Sequence, residues 1–88
     1  MLINVKSYGV YGSILGGSMK IELRDRDGII ELLKFLEKKI FEAEPEAPPL
    51  MKRGKPLVKI LINGEDANLK TLLQEGDSIT LFPIIGGG

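Results

Sequence analysis

An 88-residue chain with 43% apolar and 27% charged residues has the make-up of one small soluble domain built on a single hydrophobic core. Twelve basic and twelve acidic residues cancel, so no net field draws the chain to nucleic acid or to an anionic membrane. With neither cysteine nor histidine present, disulfides, thiol nucleophiles, thiolate metal sites and the commonest general base are excluded.

The opening residues Met1 to Lys6 lack the charged-then-apolar order of a signal peptide. No apolar run approaches the ~18 residues of a membrane span, so a cytoplasmic location is expected. Leu2 to Tyr8 alternates as a strand does, with Ile3, Val5 and Ser7 on one face and Asn4, Lys6 and Tyr8 on the other. Gly9 to Gly17 holds four glycines, a density that suits a turn or loose hairpin connection. The spacing is not that of a phosphate loop, and the closing Lys-Ser/Thr is missing. Met19 to Leu23 alternates again, as the second strand of a hairpin.

Asp27 or Gly28 then offers a helix cap, and with Gly28 as the cap Glu31 takes the third helical position, where a carboxylate suits the dipole. Ile29, Leu32, Leu33, Leu36 and Ile40 form a helical stripe wide enough to cover a sheet. Glu31 and Glu37 read as members of a solvated helix face. Phe41 to Pro56 reads as a long loop, carrying Glu42, Glu44 and Glu46 and then a basic trio, Lys52, Arg53 and Lys55, that could meet an acidic surface.

Leu57 to Ile62 is the strongest strand, with Val58, Ile60 and Ile62 inward and Leu61 outward. Asn63-Gly64 is a tight-turn signal, and Asp66 to Leu69 can return as a short strand. Leu72 to Asp77 is a turn with Gly76 at positive φ. Ser78 to Phe82 is the last strand, after which Pro83 is expected to stop the ladder. A hairpin, a helix across one face and further strands make an α+β roll. The expected architecture is a β-grasp, a mixed sheet of four to five strands packed on one main helix, forming a single domain over 1–88 with a flexible tail over 83–88.

The chain closes on Phe82-Pro83-Ile84-Ile85-Gly86-Gly87-Gly88. Three terminal glycines arise by chance roughly a few times in ten thousand. A tail without side chains is thin enough to thread a narrow channel and present its α-carboxylate to another active site.

The C-terminal half resembles the sulfur-carrier group of ubiquitin-like proteins, which includes the small subunit of molybdopterin synthase and the thiamine-pathway carrier. The resemblance rests on Val58 to Glu65 with its Asn-Gly-Glu turn, on Leu73-Gln74-Glu75-Gly76-Asp77-Ser78-Ile79, and on the Phe-Pro-x-x-x-Gly-Gly end, in family order and spacing. The Phe-Pro step and the length favour the molybdopterin-synthase branch. The N-terminal half matches less well: Tyr8 to Ser13 stands where members often carry a Phe-Ala-x-Leu-Arg-Glu-like stretch.

The resemblance implies no bound cofactor and no self-contained catalytic site. The reactive group is then the carboxylate of Gly88, with Gly86 and Gly87 as the slender tail. A ubiquitin-activating-type adenylyltransferase would use ATP to adenylate Gly88, and a sulfur donor would convert it to a thiocarboxylate. The molybdopterin synthase large subunit would receive the sulfur. Phe82, Pro83, Ile84 and Ile85 are expected to form the partner surface with Leu61 and one of Leu72 or Leu73, of which Leu73 is assigned. Three alternatives stand beside this reading: a protein modifier joined through Gly88 to lysines, a carrier for thiamine or tRNA thiolation, or a non-covalent module with an incidental tail.

Overall fold

A computed structural model describes residues 1–84. Its elements are β1 (Leu2–Ser7), α1 (Gly9–Leu15), β2 (Ser18–Glu22), α2 (Ile29–Ala43), β3 (Met51–Lys52), β4 (Lys55–Pro56), β5 (Val58–Ile62), β6 (Glu65–Asp66) and β7 (Ser78–Pro83). Five strands form one mixed sheet in the order β2-β1-β7-β5-β6. β1 and β7 run parallel at its centre and the other pairs are antiparallel. The expected β-grasp is therefore present, with α2 as its main helix.

Alternation decides which face is covered. Ile3 and Val5 of β1, Ile79 and Leu81 of β7, and Val58 and Ile60 of β5 are all buried. Cross-strand register stacks them, with Ile3 opposite Ile21, Val5 opposite Ile79 and Leu81 opposite Ile60. Against this layer α2 lays Ile29, Leu32, Leu33, Leu36 and Ile40, every one buried. At ~1.5–3 kcal/mol per buried aliphatic side chain, that stripe contributes roughly 10 kcal/mol. This matches the whole net stability of a small domain, so sheet and helix stand or fall together.

Gly28 is the helix cap, and its amide donates to Glu31 Oε1 at 2.7 Å. Having no side chain, Gly28 cannot return the bond of a full capping box. The Asn63-Gly64 turn takes positive φ at both residues (51° and 85°), as does Gly76 (84°). Asn63 also ties the two turns together. Its Nδ2 donates to Asp77 Oδ1 at 3.0 Å, and its Oδ1 accepts the Ser78 amide at 2.9 Å.

Several elements differ from expectation. Gly9 to Leu15 is a helix rather than a turn or loose hairpin connection. Tyr11 anchors it in the core, and Gly16 closes it in the left-handed region at φ 89°. The stretch read as a loop over 41–56 begins with the last turn of α2 and ends in the β3–β4 hairpin. Glu37 holds that hairpin on the helix: Oε2 accepts the amides of Leu50 at 2.9 Å and Met51 at 3.2 Å. Glu31 and Glu37 are thus structural acceptors, not members of an idle solvated face. The return strand is Glu65–Asp66 rather than 66–69. β7 runs one residue further than expected: Pro83, opposite Val58, is its last residue, and the ladder stops there. Of the tail expected over 83–88, Pro83 is part of β7, and 85–88 lie outside the described residues.

Candidate functional site

β7 is the element that aims the tail, and its neighbours set the surroundings of its last residues. On the face of the sheet away from α2, Phe82 lies opposite Lys59 and Thr80 opposite Leu61. Leu61 and Phe82 are therefore diagonal neighbours across β5 and β7. The Tyr8 ring stacks on Phe82, with centroids 4.8 Å apart and planes 8° from parallel, and the Tyr8 amide donates to Leu81 O at 3.0 Å. Lys59 pairs with Asp66 at 2.9 Å, flanking the apolar patch with charge on the β6 side.

The root of the tail is held from below as well. Gly9, at φ +66°, packs directly on the Pro83 ring: a Cβ there would come within 2.5 Å of Pro83 Cγ. Beyond Pro83, Ile84 is 55% exposed. With Pro83 it lines a groove of about 480 Å3 whose walls also include Val10, Tyr11, Pro49, Pro56 and Leu57. Tyr11 lies in that wall, its hydroxyl donating to Pro49 O at 3.2 Å. Burial, and secondarily the charge of Glu37, push its pKa above the ordinary 10.0.

Phe82 and Leu61 lie on the outer face of the sheet, whereas Pro83 and Ile84 line the groove beside Val10 and Tyr11. Leu73 is a correction. It is 5% exposed and belongs to the core, while Leu72 is 69% exposed. Neither joins the Phe82 patch, because their segment closes over the start of α2: Gly28 bridges Leu72, and the Ile29 amide donates to Thr71 O at 3.0 Å. The assignments to Ile85, Gly86, Gly87 and Gly88 lie outside the described residues. Sequence reasoning missed Tyr8, Gly9, Val10 and Leu57 as surroundings of the tail root. Only Tyr8 carried a signal, since it shares the outward parity of Asn4 and Lys6. The others are brought there by α1 and the hairpin, which were not foreseen.

A family model, the ThiS family, matches residues 5–88. The chain belongs to the ThiS family. Its members are ubiquitin-like sulfur carriers, small proteins without a catalytic site of their own. No curated protein matches by sequence. Among solved structures, the Pyrococcus furiosus protein described as molybdopterin converting factor, subunit 1, is similar at a TM-score of 0.75 and 21% identity, over 97% of this chain and 99% of that one. Small archaeal modifier protein 1 of Haloferax volcanii is similar at 0.76 and 20%, over 96% and 98%. A chain in the complex of subunits 1 and 2 of the molybdopterin-converting factor from Helicobacter pylori is similar at 0.56 and 24%, over the full length of both. At these identities the likeness is one of fold. No described helix of this ThiS-family chain is long and apolar enough to cross a membrane.

Proposed function

We propose that this chain carries sulfur on the carboxylate of Gly88 and delivers it in molybdopterin synthesis. The observation that carries the reading is the family match running to residue 88, on a tail whose root is clamped between Tyr8 and Gly9. The chain has no cysteine or histidine, so the chemistry must be supplied by partners acting on the C-terminus. An adenylyltransferase of the ubiquitin-activating type joins the Gly88 carboxylate to the α-phosphorus of ATP and releases pyrophosphate. Hydrosulfide released by a sulfur donor then attacks the acyl carbon and AMP leaves, giving a thiocarboxylic acid that loses its proton to become the thiocarboxylate. The large subunit of molybdopterin synthase accepts that sulfur for the pterin precursor. The two-subunit Helicobacter pylori complex supports a partner of that kind.

The test is intact-mass analysis of the full chain recovered from its native cell, both free and conjugated. A free chain with one oxygen exchanged for sulfur is the expected species. The likeness to a small archaeal modifier protein favours a second reading, in which a substrate lysine attacks the activated Gly88. Lysine-linked chains without any thiocarboxylate would establish that reading instead. Gly87→Ala and Gly88→Ala are expected to block activation while leaving the circular dichroism spectrum unchanged, because a Cβ does not fit a channel shaped for glycine. Activation of either variant at the wild-type rate would refute the channel argument.

A further inference from the structure

The side of the molecule away from the Phe82 patch holds a second surface that the carrier chemistry does not use. Where the β3–β4 hairpin folds over α2, it leaves a cleft of about 450 Å3. The cleft has aliphatic residues in its lining, Ile30, Met51 and Leu69, all half-buried. Lys34, Lys52, Arg53 and Lys70 also line it and are exposed. Among the described residues, none of these four cations has a carboxylate within 4.0 Å. The one acid lining the cleft among the described residues, Glu37, already accepts two backbone amides of the hairpin. Four cations against one committed carboxylate make this a locally positive site on a chain of zero net charge.

The geometry points to a docking site here for an acidic, leucine-bearing peptide segment of a partner protein. Exposed cations suit carboxylates, and an aliphatic lining suits a branched aliphatic side chain. A nucleic acid fits less well. Among the described residues no aromatic ring lines the cleft for a base to stack on, and the neutral chain lacks the long-range field that draws a polyanion. Ile30, Lys34 and Glu37 lie on the flank of α2 turned away from the sheet, so a segment bound there leaves Phe82 and the tail free. The surface is independent of the reading of Gly88.

The experiment follows the amide chemical shifts of the isotope-labelled full chain during titration with a blocked hexapeptide, Glu-Leu-Glu-Glu-Leu-Glu. The controls are the same peptide with both leucines replaced by serine, and a uridine oligomer of equal charge. Shifts are expected at Lys34, at Met51 to Gly54 and at Lys70, with Leu61, Thr80 and Phe82 unmoved. The serine peptide should bind at least about fivefold more weakly, since it loses the aliphatic contacts. Lys52→Glu combined with Arg53→Glu should weaken the leucine peptide by about tenfold or more. Should that pair disturb the circular dichroism spectrum, Lys34→Glu with Lys70→Glu tests the other cations of the cleft. Equal binding of the serine peptide, tighter binding of the oligomer, shifts elsewhere on the surface, or indifference to charge reversal would each overturn the proposal.

Discussion

Gly12→Ala sets two known effects against each other, and the structure decides between them. Gly12 sits inside α1, where alanine is the better helix former by about 1 kcal/mol and where φ is not in the left-handed region. Propensity alone therefore predicts a more stable protein. A Cβ built at this position, however, lies 2.5 Å from Ser7 O and 3.1 Å from Ser7 C. These are backbone atoms of β1, a strand paired on both sides. The Ser7 amide donates to Gly17 O at 2.8 Å, and the next amide, Tyr8, donates to Leu81 O at 3.0 Å. Ser7 cannot retreat without breaking the sheet, so α1 must lift instead and take the buried Tyr11 with it. Overpacking of this kind costs about 1–3 kcal/mol, and a rigid neighbour places it at the upper end. The net expectation is a loss of about 2 kcal/mol, once the ~1 kcal/mol propensity gain is subtracted. In a domain of this size that lowers Tm by roughly 8–16 °C. Urea unfolding followed by circular dichroism, with the slope m checked for constancy, measures it directly. A variant as stable as the wild type or more so would show that α1 does not lean on β1 through this glycine.

Glu37→Ala leaves the amides of Leu50 and Met51 without their acceptor. Because the carboxylate is half-exposed, water recovers part of the loss, and about 1–2 kcal/mol of stability should go; hydrogen exchange at those two amides should accelerate well beyond that of the sheet amides, and uniform protection would refute the clamp. The raised pKa of Tyr11 means the folded state holds its proton more tightly than the unfolded one. Its contribution is therefore fully present below the ordinary 10.0 and is lost as pH rises from there through the raised value. Tyr11→Phe should flatten the alkaline fall in unfolding free energy relative to the wild type, and parallel curves above pH 10.0 would contradict it.

The large elements could be read because their signal is periodic and local. Ile3 and Val5 alternate, Ile29 to Ile40 recurs at helical spacing, and Asn63-Gly64 names its own turn. What stayed hidden depends on contacts far away in sequence. The four glycines of Gly9 to Gly17 look like a turn by propensity, yet α1 forms because Tyr11 is buried, and tertiary packing outweighs propensity in so short a helix. Glu37 looked idle because its partners, Leu50 and Met51, arrive by way of a proline-rich stretch with no period of its own. The hairpin did carry one sign, Arg53-Gly54, which takes positive φ at both residues. Leu72 and Leu73 are adjacent and equally apolar, so only the bridge from Leu72 to Gly28 settles which one turns inward. On the functional side, the outward parity of Phe82 and Leu61 was legible. The clamp beneath Pro83 was not, since nothing in sequence links it to Gly9.

The parallel pairing of β1 with β7 has a consequence for how the chain is made. Asn4 pairs with Ser78 and Ser7 with Leu81, so β1 must wait for the much later β7 before the centre of the sheet can close. Until then β1 has only β2 beside it, and β5 lacks the neighbour that later separates it from β1. Assembly in this order is non-local and correspondingly slow, and a nascent chain cannot complete its core while β7 is still within the ribosome. A chain that terminates early lacks both the central strand and the residues that follow it. The fold thus couples the two: the central strand and whatever follows it are made, or lost, together.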